Sequence, residues 1–323
     1  HIFAERHKTT IGVDALAEKM DSDRLDKEQG KRQRIGLFAQ DEWNLPTKKR
    51  LTLLPAARVD LDSQFGTHTT PQFAMRYDPH QRVALRSGFG WGYRAPSFKE
   101  LLLRFENPSA GYTVDGSPDL EPETSQNVNV GFDWNTTDDL WLSLSGYRND
   151  VKNLIGFGTL EDGVANSPTR YGYVNIAEAI TQGAEFNIEV AASRHTTFMT
   201  NYTLNDTLDV GNDRPLEGRS LHRASGQFNQ RLPSSGTSFN VRGAWDGPKS
   251  YYRDIDADGT EETIETDGEL LIDARLGQEL SFKRMAIQLF VGSANILNEG
   301  DAEYIPVPPR TFYAGLTGRY ATD

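Results

Sequence analysis

The twelve residues from Asp254 to Glu265 read Asp-Ile-Asp-Ala-Asp-Gly-Thr-Glu-Glu-Thr-Ile-Glu, the D-x-D-x-D-G-x5-E spacing of a calcium-binding loop. Asp254, Asp256, Asp258, Glu262 and Glu265 would offer oxygens to a hard divalent cation, with Gly259 making the sharp turn. A plain solvated acidic loop is the competing reading, because no helices flank the segment and Glu261 stands where such loops carry an apolar residue. A second set is cationic. Arg82, Arg86, Arg223, Arg231, Arg242, Arg275 and Arg319 fall on the polar face of alternating segments, where they would attract an anion or pair with Asp133, Glu185, Asp273 and Glu279. A third set lies in the long connection from Tyr93 to Thr124. Tyr93, Arg94, Phe98, Phe105 and Tyr112, among turn-forming Pro108, Gly111 and Gly116, could close over a ligand. Nothing points to bond-making chemistry. The chain lacks the G-x-S-x-G, H-E-x-x-H and P-loop patterns, has no cysteine, and its six histidines are dispersed. The expectation is capture of a ligand, not catalysis.

The elements that must position these groups alternate with period two. Val128, Val130, Phe132 and Trp134 oppose Asn127, Asn129, Gly131 and Asp133. Leu140, Leu142 and Leu144 oppose Ser143 and Ser145; Phe239, Val241 and Trp245 oppose Asn240 and Arg242; Met285, Ile287, Leu289 and Val291 lead to Phe312, Leu316 and Tyr320. One face is apolar and the other polar or small, as when a strand divides lipid from a wet lumen. No run of eighteen apolar residues occurs, which excludes a helical membrane protein. The mean hydropathy of −0.59 suits a barrel as well as a soluble protein, since only alternate residues meet lipid. A net charge of −12 argues against a nucleic-acid partner.

About 14 strands are expected, an even count, in one domain covering residues 1–323, and their connections sort by parity. Short ones fall at Pro46 to Arg50, Asp78 to His80, Thr136 to Asp139, Ala191 to Arg194, Pro233 to Gly236 and Phe282 to Arg284. Long ones fall at Glu18 to Lys31, Tyr93 to Thr124, Thr159 to Arg170, Leu208 to Gly218, Tyr251 to Gly268 and Asn298 to Arg310, with Gln64 to Thr67 a modest exception. A soluble sandwich has no reason to sort loops this way, whereas a transmembrane antiparallel β-barrel has short periplasmic turns and long extracellular loops. Trp43, Tyr77, Trp134, Phe282 and Tyr320 would form one interfacial girdle; Tyr93, Tyr251, Tyr252, Tyr304 and Phe312 would form the other. Ser97, with Glu100 three residues on, predicts a short capped helix over Ser97 to Arg104.

Gly88-Phe-Gly-Trp-Gly-Tyr-Arg-Ala-Pro-Ser-Phe-Lys-Glu-Leu102, then Gly116-Ser-Pro-Asp-Leu-Glu-Pro-Glu-Thr-Ser125, resemble the strand, outer loop and returning strand of the TonB-dependent outer-membrane receptors. Arg32 to Trp43, Tyr171 to Glu185 and Ala294 to Asn298 resemble further strands of that family. The resemblance covers the chain as the C-terminal part of such a barrel, with the plug domain and early strands absent. It leaves open a closed 14-strand barrel or part of a 22-strand wall. It implies a receptor in the Gram-negative outer membrane, in contact with outer-membrane lipid and lipopolysaccharide, importing a scarce small molecule. TonB would act through an N-terminal part not in this chain. Haem receptors of the family pair the first motif with a later loop histidine, and none occurs between His80 and His195, so a ferric siderophore is favoured over cobalamin and both over haem. A passive pore and a surface-binding module are the alternatives.

Overall fold

A computed structural model describes residues 2–3, 6–26, 29–109, 111–161, 169–253, 261–283, 285–300 and 307–320. In chain order the elements are β1 (Ile2–Phe3), β2 (His7–Asp21), β3 (Gln29–Leu45), β4 (Arg50–Asp62), β5 (Gly66–His80), β6 (Val83–Arg94), α1 (Phe98–Leu102), β7 (Arg104–Asn107), β8 (Tyr112–Asp115), β9 (Glu123–Thr137) and β10 (Leu140–Glu161). There follow β11 (Thr169–Ser193), β12 (Thr196–Asp209), β13 (His222–Leu232), β14 (Thr237–Asp246), β15 (Ser250–Arg253), β16 (Glu262–Glu265), β17 (Glu269–Ser281), β18 (Met285–Ala294) and β19 (Thr311–Tyr320). The fourteen long strands are β2 to β6, β9 to β14 and β17 to β19, each antiparallel to the next long strand. With β1, β7 and β8 they make one seventeen-stranded sheet, and β15–β16 is a separate hairpin. The expected strand count and loop parity both hold.

Register fixes the two faces. Val128 stands opposite Phe89 and Arg148, Phe132 opposite Leu85 and Leu144, and Leu144 opposite Phe186. Val241 pairs with Phe228 and Ala274, and Val291 with Leu276 and Ala314. The apolar sets read from each strand therefore merge into one continuous outer band, and a one-residue slip anywhere would turn a strand inside out. The inner face is mainly polar, with Phe38 and Phe290 among its aromatic exceptions, and it is built in two styles. On β2 to β4 it is charged: Arg58 bonds Asp14 and Asp60, each at 2.7 Å, and Arg32 bonds Glu18 at 2.7 Å. On β11 to β14 a network of neutral side chains runs between charged ones such as the Arg223–Asp246 pair, with Asn201 donating to Asn187 at 2.8 Å, Asn229 to Thr197 at 3.1 Å, and Asn240 to Asn229.

β2 and β19 are the margins of this wall. β19 is registered against β18, and β2 against β3 and the short β1. Their outward side chains are correspondingly bare: Ile11 is 79% and Leu316 67% exposed, against 43% for Leu289 on the adjoining strand.

Two expectations need correction. Tyr251 and Tyr252 belong to the β15 hairpin, not to a lipid girdle. Tyr252 is buried and its hydroxyl donates to the Pro215 carbonyl at 3.0 Å, because a long outer loop needs aromatic packing of its own. Tyr304 lies outside the described residues. The short helix is real but stops at Leu102, since Arg104 already pairs in β7.

Candidate functional site

The connection from β6 to β9 is a folded strap anchored at its root by charge. Arg94 donates to both carboxylate oxygens of Glu123 at 2.6 Å and to Glu100 at 3.0 Å. Ser97 and Glu100 close a reciprocal capping box on α1: the Ser97 hydroxyl accepts from the Glu100 amide at 3.3 Å, and the Glu100 carboxylate accepts from the Ser97 amide at 2.6 Å. Burial opposes ionisation of Glu100, but the Ser97 donors and Arg94 outweigh it and hold the carboxyl below its ordinary value. Arg32, buried on the inner face of β3, donates to the Pro96 carbonyl at 2.7 Å. Phe98 packs where Gly30 leaves room, since a Cβ at Gly30 would fall 2.6 Å from its ring. Leu25, Phe98, Leu101 and Leu120, all in this strap or the β2–β3 loop, are among the few fully buried apolar side chains described.

From α1 the strap crosses to that neighbouring loop. Asp26 N–H donates to the Leu102 carbonyl at 2.8 Å, and Arg104 N–H to the Arg24 carbonyl at 2.7 Å. It then turns through the β7–β8 hairpin and lays β8 parallel to β11, Tyr112 opposite Thr169 through Asp115 opposite Gly172. The return begins at Gly116, whose N–H donates to the Leu103 carbonyl at 2.6 Å; a Cβ there would lie 2.5 Å from Leu102 N, so only glycine permits the approach. Asn175 clamps the returning chain, accepting from Glu121 N–H at 2.8 Å and donating to the Glu121 carbonyl at 3.0 Å. The strap thus reaches from the β2–β3 loop to β11.

β10 and β11 are long enough to meet it. At 22 and 25 residues they far exceed the roughly 9–11 residues a barrel strand needs to cross a bilayer, and they stay paired up to Glu161 opposite Arg170. Their projecting part presents Phe157, Tyr171 and Tyr173 to the strap. The rings form a row: Phe105 to Tyr112 at 6.1 Å, Tyr112 to Tyr171 at 6.1 Å, Tyr171 to Phe157 at 6.0 Å, and Phe157 to Tyr173 at 5.2 Å between centroids. Arg24 lies 5.2 Å from the Phe105 centroid, Arg170 bonds Asp115 at 3.1 Å, and Phe157 keeps 54% of its surface exposed. Aromatic faces among guanidinium groups suit a ligand that is itself flat, anionic, or both.

Of the residues expected at a ligand site, Phe105 and Tyr112 come together here. Phe98 does not reach a ligand surface, being buried. Arg94 is committed to Glu100 and Glu123. Tyr93 stacks on His68 at 3.9 Å, and its hydroxyl is buried. Arg86 is inward but bonds Asp133 at 2.7 Å. Arg242 and Arg275 are inward, and Arg275 lies 3.9 Å over the Phe290 ring; among the described residues neither has a carboxylate partner. Arg275 lines an inner concavity of about 550 Å³ with Arg231, Asn240 and Gln288. Of the proposed calcium ligands, Asp254, Asp256 and Asp258 lie outside the described residues. Glu262 and Glu265 bound β16, opposite Arg253 and Ser250, and three-residue spacing puts them on opposite strand faces. The sequence reading missed Phe157, Tyr171, Tyr173, Arg24 and Arg170. The one available signal was the Tyr171-Gly-Tyr173 alternation continuing past any bilayer-spanning length.

Comparison with known proteins bears on this geometry. Residues 8–296 match the family described as TonB dependent receptor-like, beta-barrel. The iron-regulated outer membrane virulence protein of Vibrio cholerae is 28% identical over 255 residues, covering 73% of this chain and 38% of that protein. The vitamin B12 transporter BtuB of Vibrio vulnificus is 30% identical over 139 residues, 43% of this chain and 20% of that protein. Among solved structures, the ferric enterobactin receptor PfeA of Pseudomonas aeruginosa superposes with TM-score 0.75 at 18% identity, covering 98% of this chain and 51% of its own. The siderophore receptor PirA of Acinetobacter baumannii gives 0.75 at 18% identity, covering 97% and 52%. The chain spans about half the length of these structures and less of the curated relatives.

Proposed function

Because the chain belongs to the TonB-dependent receptor β-barrel family of the Gram-negative outer membrane, we propose that it forms the ligand-capturing wall of an uptake receptor for a ferric siderophore. The observation that carries this reading is the row Phe105, Tyr112, Tyr171, Phe157 and Tyr173 bordered by Arg24 and Arg170. An anionic iron chelate with aromatic arms would stack on such rings and meet cations at their edge. The solved neighbours named as ferric enterobactin and siderophore receptors support the same class. Arg242 and Arg275, without an ion pair among the described residues although Asp273 stands opposite Arg242, would offer a second anion contact deeper in the barrel, and import past them would be energised by TonB in the full-length protein.

The test uses the full-length receptor in detergent, with ferric enterobactin as probe and cyanocobalamin as comparator. Replacing Phe105 and Tyr112 together by alanine should weaken ferric enterobactin binding at least tenfold while the barrel stays folded. Unchanged binding would move the site off the strap. Tighter binding of cyanocobalamin than of the iron chelate would reassign the ligand class.

A further inference from the structure

The β10–β11 hairpin outgrows its neighbour on one side. β9 pairs with β10 only as far as Thr124 opposite Lys152, while β10 stays paired to β11 up to Glu161. Above that level β8 meets the far side of β11, so the projecting sheet runs β7, β8, β11, β10. Among the described residues β10 is its free edge. The chain returning to β9 does not cover it, because the Glu121 backbone is bonded to Asn175 on the inner face.

Two hydrogen bonds tell which backbone groups line that edge. The Thr169 amide donates to the Gly111 carbonyl at 3.0 Å. Thr169, Tyr171 and Tyr173 therefore turn their groups to the β8 side of β11, and Gly172 and Val174 turn theirs to β10. Gly172 and Val174 stand opposite Gly158 and Gly156, which leaves Ile155, Phe157 and Thr159 pointing to the open side. The Ile155 amide agrees, donating to the Glu123 carboxylate at the top of β9 at 2.8 Å. Past that cap, the amides and carbonyls of Phe157 and Thr159 have no described strand beside them.

Water satisfies such groups in the free protein, but it does not account for the sequence. Solvent-exposed edges usually carry a lysine, a proline, an inward charge or a bulge that keeps other strands off. Leu154-Ile-Gly-Phe-Gly-Thr-Leu160 has no charge and no proline, and its ladder to β11 is regular from Leu154 to Thr159. Gly156 and Gly158 lie on the face opposite Phe157. A Cβ on Gly158 would meet nothing within 4 Å, so packing within the chain does not require glycine there. Glycine inside a strand often marks a place where another backbone comes close. Phe157 and Leu160 are exposed beside it and offer apolar contact.

We propose that this edge receives an extended segment of another polypeptide, added antiparallel to β10 in the place above Glu123, where it continues the line of β9. A second backbone is what matches amides and carbonyls repeated at strand spacing, and the two glycines leave room for large side chains on the incoming strand. The proposal uses backbone groups alone and stands whichever ligand the aromatic row takes.

The experiment uses the full-length protein in mild detergent. The probe is a synthetic peptide with the sequence of Arg170 to Ile176, the stretch that β10 already accepts on its other side. Its comparator is the same peptide methylated on every backbone nitrogen. Before any peptide is added, hydrogen exchange read amide by amide should find Gly156 and Gly158 at least tenfold better protected than Phe157 and Thr159. The peptide should then slow Phe157 and Thr159 several-fold and leave the two glycines as they were, while the methylated peptide changes neither pair. Thr159→Pro, which removes an N–H from the open side and no bond to β11, should lower peptide binding about tenfold with heat-modifiability of the barrel unchanged. Equal protection of all four amides in the free protein would show the edge already occupied and overturn the proposal. No slowing by the peptide, or equal slowing by its methylated form, would overturn it as well. Protection of Phe157 and Thr159 that grows with protein concentration alone would reassign the edge to a second copy of this chain. The exchange pattern needs no variant, so a misfolded Thr159→Pro leaves it decisive.

Discussion

The Arg32 guanidinium and the Pro96 carbonyl meet at 2.7 Å across 64 residues of chain. This bond joins the charged inner wall to the root of the strap. Arg32 also bonds Glu18 at 2.7 Å, and its Nε lies 4.0 Å from Asp62, whose side chain is fully buried. Losing the guanidinium would leave that carboxylate held only by the Gln64 and Phe65 amides, without the nearby Arg32 charge, as well as free the strap.

Arg32→Met is therefore expected to destabilise this end of the wall by about 1–3 kcal/mol, the range for buried polar groups that lose a partner. Protease should cut within residues 95–122 faster than in the parent protein, while the long strands resist. Adding Asp62→Asn to the same variant should recover part of the protection, because the buried charge is gone. Equal cleavage of parent and Arg32→Met would show that the Pro96 contact anchors nothing.

Glu100 gives the strap a pH dependence of known sign. Its carboxyl is held below the ordinary 4.5 in the folded protein, so its contribution is full above that value and is lost as pH falls through the depressed one. Protection of the α1 amides, relative to the intrinsic exchange rate at each pH, should fall below about pH 4.5, and Glu100→Gln should flatten that response. Ser97→Ala, removing the other half of the box, is expected to cost about 1 kcal/mol locally.

Gly116→Ala should act as a strap-opening mutation. The added Cβ would meet Leu102 N at 2.5 Å and Leu103 N at 2.6 Å, both backbone atoms that cannot swing aside. Binding of ferric enterobactin should fall with it, although Gly116 is not among the residues assigned to contact the ligand. Retained affinity together with retained protease resistance would contradict the described path of the strap.

Asn175→Ala removes both bonds to the Glu121 backbone and one to the Asn153 carbonyl, at 2.8, 3.0 and 2.8 Å. A loss of about 1–3 kcal/mol is expected, the range for polar groups left without partners, and it should be confined to the strap. Hydrogen exchange of residues 116–122 would register it, with β9 unchanged.

Much of this was legible in the chain itself. Alternation such as Val128, Val130, Phe132, Trp134 is a property of the pleat, so it reports the outward face without knowledge of any partner strand. The six tight turns and the long opposite loops give topology for the same reason: each is local. Ser97 and Glu100 announced their helix because a capping box is complete within four residues. Arg86, Arg223, Arg231, Arg242, Arg275 and Arg319 do lie on the inner face that parity assigns them, whereas Arg82 sits in the β5–β6 turn and bonds the Thr136 carbonyl and Asp138.

Tertiary structure alone decided what those residues do. Parity puts Arg86 and Arg242 on one face, but only side-chain packing joins Arg86 to Asp133 at 2.7 Å, one pair along the ladder, and leaves Arg242 without an ion pair among the described residues although Asp273 stands opposite it. Phe98, Phe105 and Tyr112 look alike in sequence; Phe98 is buried because Gly30, on another strand, makes a notch for its ring, while Tyr112 reaches Tyr171 because β8 docks along β11. Strand formation obeys a period of two residues that any short stretch displays. Loop packing depends on which distant strands the sheet brings side by side, and no local pattern encodes that.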